Sequence, residues 1–175
     1  RECFRWYDMR EFLKKATRSK YDIALYQMGN NVLHERIYDL LQAFPGVTVL
    51  HDYNIHPFIQ YISYLRGKPE KYIKEMEYAY GPEGQQLATQ ILAGDDHLDV
   101  FRFPLNKRVI DSSKAIICHS NWVKQQLASP KVHVIPHGTK LWEVERNQST
   151  DCLDSVLNAG DFVVGCFGNL TQTKR

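Results

Sequence analysis

Residues 22–50 read DIALYQMGNNVLHERIYDLLQAFPGVTVL, and this stretch decides the fold. It begins with a short, mostly apolar run that ends in Gly29-Asn30-Asn31, which is typical of a buried strand followed by a turn. Apolar side chains then recur at three- and four-residue steps up to Pro45-Gly46, which predicts a helix with a stop signal. The β-branched run at 47–50 predicts a second buried strand. Strand, helix and strand in close succession form a βαβ unit with a right-handed crossover.

The rest of the chain continues this alternation. Helical spacing predicts helices at 57–80 with a break at 67–69, at 83–92, at 104–112 and at 121–127. Apolar runs predict further buried strands at 115–119, 132–135 and 162–167. We therefore expect an α/β fold, with a Rossmann-like parallel sheet and flanking helices in an incomplete first domain at 1–140. A polar linker at 141–160 and the first strand of a second domain at 161–175 complete the prediction.

Composition narrows the function classes. The net charge is +2 with both signs interspersed, which does not favour a nucleic-acid partner. The four cysteines have no C-x-x-C spacing, so we expect buried thiols in a reducing, cytoplasmic compartment, with neither disulfides nor structural zinc. No apolar run reaches the roughly 20 residues that span a bilayer. A basic cluster at 14–20 predicts a solvated helix face, with peripheral membrane contact as the open alternative.

Polar side chains follow several of the predicted strands at their carboxyl ends, where open α/β sheets bind ligands. Histidine, aspartate, serine and asparagine suit a polyhydroxyl ligand, because they offer both donors and acceptors. Each also has a structural alternative, since such residues cap helices, close turns or form buried hydrogen bonds. The loop at 135–139 is either a hinge or part of a site. The candidates for acceptor or sugar contacts are Gly29, Asn30, Asn31, His51, Asp52, His119 and Ser120.

The last eleven residues, GCFGNLTQTKR at 165–175, form a different kind of candidate. A strand that enters a glycine turn with a lysine several residues later can hold a diphosphate through backbone N–H groups and the ammonium charge. The turn is neither the dinucleotide-binding fingerprint nor a P-loop. The residues proposed to bind a donor diphosphate here are Gly168, Asn169, Lys174 and Arg175.

Taken in order, five short motifs resemble the retaining GT-B glycosyltransferases of the large group 1 family. The similarity runs through most of the chain, and the ordered set is more specific than any single motif. The motifs are YQMGNN (26–31), VLHD (49–52), FPLN (103–106) followed by Arg108 and Val109, ICHS (117–120) and VIPHG (134–138).

This resemblance implies a hexosyltransferase with an acceptor-side domain at 1–140 and a nucleotide-sugar-binding domain that begins near 161. His51 matches the family's strand-end histidine that contacts the transferred sugar, so the resemblance implies that it is the catalytic residue. Lys174 matches the lysine of the G-R-L-x-x-x-K-G turn, which neutralises the departing diphosphate. Asn169 replaces the family's arginine, and Arg175 replaces the closing glycine, so the charge at the leaving group differs from the family's pattern.

The resemblance also implies the partners. The donor is a nucleotide-diphosphate sugar, the acceptor is a saccharide or a lipid-linked molecule, and neither a metal ion nor another cofactor is expected. A first strand with its glycine-rich loop is expected before Arg1, and the paired-glutamate motif after Arg175. The chain by itself is therefore expected to be inactive.

Two other function classes stay open. A noncatalytic glycan- or nucleotide-binding module would keep the fold, and Asn169 in place of arginine favours it. An unrelated doubly wound domain, such as a flavodoxin-like regulator, is less favoured. Asp52 follows a histidine and lies among bulky aromatic residues, unlike a phospho-acceptor aspartate.

Overall fold

The computed structural model describes residues 9–14, 19–94, 99 and 102–138. Contacts divide the chain into two units, Arg1–Gly138 and Thr139–Arg175. The second unit lies outside the described residues. The predicted strand at 162–167, the linker and the four proposed diphosphate-binding residues therefore stay predictions from the sequence.

A parallel sheet forms the centre of the first unit. Its four strands are β1 (Leu25–Met28), β2 (Val47–Leu50), β3 (Ala115–Cys118) and β4 (Val132–Val134). They lie side by side in chain order, and all three pairings are parallel. The predicted α/β fold with a Rossmann-like parallel sheet is confirmed. Because the strands point the same way, their carboxyl ends lie along one edge.

Helices occupy the connections between these strands. The short helix α1 (Met9–Phe12) precedes the sheet, and a 3₁₀ turn (Val32–His34) leads into α2 (Glu35–Ala43). Between β2 and β3 lie α3 (His56–Ile62), a 3₁₀ turn (Tyr64–Arg66), α4 (Pro69–Leu92) and α5 (Lys107–Ser112), and α6 (Asn121–Leu127) connects β3 to β4. The break expected at 67–69 is present. The one expected at 81–82 appears as a kink in α4, where Gly81 has φ 66° and ψ −150°.

The predicted helix at 104–112 begins later than expected, at Lys107. The cause is Leu105, a buried residue with φ 51°, which leaves helical geometry just after Pro104. Its N–H donates to the Tyr80 hydroxyl at 3.1 Å. The segment is therefore a fixed turn that packs against α4.

One face of the sheet carries the hydrophobic core. Alternate strand residues such as Met28, Leu50 and Ile116 are 0–2% exposed and pack with buried side chains from α2 to α6. The other face is more open, since Leu25 is 58% exposed and Gln27 and His133 are also exposed. Parallel sheets usually bury both faces. In the described part of the chain, the helices and the sheet thus form two main layers.

A buried carboxylate ties three helices together. Glu75 of α4 is 8% exposed, and its two oxygens share a bifurcated hydrogen bond from Arg108 Nε–H of α5, at 2.9 and 2.7 Å. It also accepts a bond of 3.0 Å from the Tyr38 hydroxyl of α2. The Arg108 guanidinium stacks over the Tyr78 ring at 3.9 Å. Because the Glu75 carboxylate is largely shielded from water, its negative charge is stabilised by these partners.

We expect Arg108→Met to lower the free energy of unfolding by about 3 kcal/mol, because it leaves the Glu75 charge buried without its cation. The matched control is Lys107→Met, which removes an exposed ion pair with Asp111 and should cost below about 1 kcal/mol. Urea unfolding measures both. Equal losses in the two variants would contradict the role given to Arg108.

A buried histidine joins α3 to α4. His56 is fully buried; its Nδ1–H donates to the Phe103 carbonyl at 2.6 Å, and Nε2 accepts from the Tyr72 hydroxyl at 2.7 Å. Burial lowers the pKa of His56 below its ordinary 6.5, although the bond to Phe103 acts in the opposite direction. The folded chain therefore holds the ring neutral.

This lowered pKa sets a pH dependence of stability. Below pH 6.5 the unfolded chain takes up a proton that the folded chain resists, so the stabilisation present above that pH is lost as the pH falls toward the folded pKa. We expect His56→Gln to reduce the slope of unfolding free energy against pH in this window. The exposed His133→Gln variant serves as control in urea unfolding at several pH values. An unchanged slope in His56→Gln would rule out this origin of acid sensitivity.

Candidate functional site

The carboxyl ends of the four strands bring the predicted site residues to one edge of the sheet. Gly29, Asn30 and Asn31 follow β1, His51 and Asp52 follow β2, and His119 and Ser120 follow β3. The loop at 135–138 follows β4 and adds His137, which the sequence left between a hinge and a site. Residues far apart in the chain thus meet where open α/β sheets bind ligands.

Three of these residues have structural roles. Asn31 Oδ1 accepts the Leu33 N–H at 2.9 Å and caps the first 3₁₀ turn. Asn30 Oδ1 accepts the Phe58 N–H of α3 at 2.9 Å. Ser120 caps α6, since its hydroxyl accepts the Val123 N–H at 3.2 Å. The capping alternative considered for these side chains is therefore confirmed, and it fixes the shape of the edge.

Gly29 and Asp52 form a close turn between the first two strands. The Asn30 N–H donates to Asp52 Oδ2 at 2.7 Å. A Cβ atom on Gly29 would lie 2.9 Å from that same oxygen and 3.3 Å from His34 Cε1. The absence of a side chain at 29 lets the Asp52 carboxylate reach the turn. This hydrogen bond therefore holds the backbone next to His51 in place.

His51 is exposed and oriented by a neighbour on β1. Its Nε2–H donates to the Gln27 side-chain oxygen at 2.6 Å. Desolvation lowers the pKa of His51, the nearby rings of His119 and His137 lower it further, and the Asp52 charge acts in the opposite direction. The ring is thus held in its neutral form, with the lone pair on Nδ1.

His119 and His137 stack beside it. Their ring centroids are 3.7 Å apart, and the His51 ring lies 5.5 Å from His119. The His119 Nδ1–H donates to the Ile135 carbonyl at 2.8 Å, while its Nε2 is buried and has no hydrogen-bond partner. One ring nitrogen of each histidine lies within 4.8 Å of the other two. These three side chains, here called the histidine cluster, are the group in the described residues that could hold a metal ion.

The loop after β2 is held from the far side by the 103–106 segment. The Ile55 N–H donates to the Pro104 carbonyl at 2.9 Å. The Asn106 side chain donates to the Tyr53 carbonyl at 2.8 Å. The 103–106 motif thus positions the loop that follows the 49–52 motif.

An aromatic cavity of about 480 Å³ opens next to this loop. Trp122 is 57% exposed, and its ring meets the Tyr53 ring edge-on at 5.3 Å. Such rings offer apolar faces with polar groups beside them. The residues that line the cavity are Tyr53, Asn54, Arg102, Pro104, Trp122 and Gln126.

A smaller cavity, of about 350 Å³, lies at the opposite side of the sheet, where the strands begin. It is lined by Phe12, Tyr21, Phe44 and Lys114, among others. The strand-end cavity is the better candidate for ligand binding, because it adjoins the predicted site residues. Ligands of open α/β sheets bind at strand carboxyl ends.

Sequence reasoning found most of the strand-end residues but not how they group. It did not connect His137 with His51 and His119, although all three follow predicted strands. It also passed over Trp122, which the α6 periodicity alone would have placed among the exposed positions.

Comparison with known proteins gives no family for this chain: no family model, curated protein or solved structure matches it. The search for membrane-crossing segments is also negative, as none of the helices in the described ranges has the length and apolar character that a bilayer crossing requires. The functional interpretation therefore depends on the motifs and on the geometry of the strand ends.

We expect Gly29→Ala to displace the Asp52 carboxylate, since the new Cβ would lie 2.9 Å from Oδ2. The Asn30 amide should then lose its acceptor and exchange faster with solvent, at a cost of about 1–2 kcal/mol for a hydrogen bond to a charged group. Hydrogen exchange measured by NMR tests this. Gly138→Ala is the control, because a Cβ there meets nothing within 4 Å. Unchanged exchange at Asn30 would contradict the contact.

Proposed function

We propose that this chain contains the acceptor-side domain of a retaining glycosyltransferase that moves a sugar from a nucleotide diphosphate to a saccharide or lipid-linked acceptor. The observation that carries the proposal is His51. It stands at the carboxyl end of a central parallel strand, with an exposed ring whose orientation is fixed by Gln27. The ordered motifs around it supply the functional class.

The chemistry of such a transfer fits this arrangement. A neutral, oriented imidazole can form a hydrogen bond with a sugar hydroxyl, and an oriented group lowers the barrier more than a mobile one. The lowered pKa of His51 favours this neutral form. The Asp52–Asn30 hydrogen bond keeps the backbone around it in place.

The aromatic cavity supports a saccharide acceptor. The C–H faces of a sugar ring pack on exposed aromatic rings, while its hydroxyl groups need nearby donors and acceptors. Trp122 and Tyr53 supply the first, and Gln126 and Arg102 supply the second. The cavity adjoins the loop that follows His51, so an acceptor held there would lie near the proposed reacting sugar.

The donor side is proposed from sequence alone. Lys174 would neutralise the charge that builds on the leaving diphosphate, with Arg175 and the turn at Gly168-Asn169 adding further donors. These groups would act by charge and hydrogen bonding. The transfer as proposed therefore needs no ion.

We expect His51→Ala to lower the rate of sugar transfer by about 100-fold or more. Losses of this size are typical when an oriented group at the reacting centre is removed. The assay measures nucleoside diphosphate release by the full product of the coding sequence that contains this chain. The proposed donor and acceptor sites are then both included. His133→Ala, an exposed histidine on the same sheet, is the control and should keep full activity.

Two outcomes would count against the proposal. Full activity in His51→Ala would remove the role given to this ring. Binding of nucleotide sugar or glycan without any release of diphosphate would instead favour the noncatalytic binding module.

A further inference from the structure

We propose that the histidine cluster is a binding site for a divalent transition-metal ion of the Zn²⁺ class. The proposal goes beyond glycosyl transfer and does not rest on it. It follows from three imidazoles, His51, His119 and His137, that approach one another at the ends of three adjacent strands.

The first argument is the buried nitrogen of His119. Its Nδ1–H is committed to the Ile135 carbonyl, which can only accept, so the lone pair of the neutral ring lies on Nε2. That nitrogen is buried and has no hydrogen-bond partner among the described residues. A buried acceptor without a donor costs free energy. A metal ion would satisfy it, and the Nδ1–H to carbonyl bond is the usual outer contact of a metal-bound histidine.

The second argument is the tautomer of His51. Its Nε2–H donates to the Gln27 oxygen, which leaves the lone pair on Nδ1. The rings of His119 and His51 are thus each fixed by a hydrogen bond to a carbonyl-type oxygen. The second nitrogen of each ring keeps its lone pair for coordination. The nearby Asp52 carboxylate, which acts on His51 electrostatically, would offset part of the ion's charge.

The third argument is distance. One ring nitrogen of each histidine lies within 4.8 Å of the other two. Ligands at about 2.0–2.1 Å from a tetrahedral ion would be roughly 3.4 Å apart, so these nitrogens need to close by up to about 1.4 Å. His137 is exposed and can rotate, whereas His119 is partly buried and acts as the fixed ligand.

The donor set defines the kind of ion. Imidazole nitrogen suits Zn²⁺, Cu²⁺ and Ni²⁺, whereas Mg²⁺ and Ca²⁺ prefer oxygen. Three protein ligands leave a fourth position for water or another small ligand, as in sites of the three-histidine type. Both proposals use the Nδ1 lone pair of His51, because Nε2 is bonded to Gln27. An ion bound there would therefore compete with a sugar hydroxyl for this nitrogen.

The test is isothermal titration of the metal-stripped 175-residue chain with Zn²⁺ alone, supported by the visible absorption of bound Co²⁺. We expect one ion per chain and tetrahedral Co²⁺ bands. His119→Ala, His51→Ala and His137→Ala should each weaken binding by about 100-fold, since loss of a mere outer contact already costs 10- to 100-fold. The exposed His133→Ala variant is the control and should bind as the parent does.

Circular dichroism checks that each variant is folded. If His119→Ala fails to fold, His137→Ala carries the test, because its side chain is exposed. Absence of binding by the parent would overturn the proposal. So would equal binding by a variant that lacks all three histidines, or an equal loss in the His133 control. Loss of sugar transfer in His51→Ala without any metal binding by the parent would leave the proposed transfer intact and reject the metal site alone.

Discussion

The parallel alignment of four strands in chain order is the constraint on which the rest of the structure depends. In the register of this sheet, Met28 lies opposite Leu50, Thr48 opposite Ile116 and Cys118 opposite Val134, so each strand ends near the end of its neighbour. Every exit loop therefore opens on the same edge. The turn at Gly29, the His51–Asp52 pair and the histidines after β3 and β4 meet for this reason.

A second constraint comes from the one-sided core. The side chains that pack together from strands and helices lie on one face of the sheet, while Leu25, Gln27 and His133 on the other face are exposed. The long connection between β2 and β3 must then do two things at once. It supplies most of the helical layer, and it places the 103–106 turn against the loop after β2. The Glu75 and His56 contacts lie within this layer, so the stability of the core and the shape of the strand-end edge are coupled.

The sequence predicted the fold well because its signals are local. Residues 22–50 carry strand, helix and strand with their stop signals, and Ser120, a residue type that favours N-caps, caps α6. The histidine cluster could not be predicted in this way. It depends on the alignment of β2, β3 and β4 and on the Ile135 carbonyl that orients His119, which are tertiary facts. The backbone of Leu105 is similar, because its positive φ is stabilised by contact with α4 rather than by local propensity.

His51 is the residue on which the chemical interpretations converge. The motif resemblance proposes this ring as a sugar contact. Its surroundings favour the neutral imidazole, because they lower its pKa. The neighbouring histidines make it a proposed metal ligand. Its contacts have unequal weight in these roles. The bond to Gln27 serves all of them, because it fixes the ring and leaves one nitrogen bare. The buried Nε2 of His119, which has no hydrogen-bond partner among the described residues, bears on the ion alone. Sugar binding by His51 does not require the Nε2 of His119. The alignment of the strand ends, rather than sugar transfer, therefore accounts for the grouping of the three histidines.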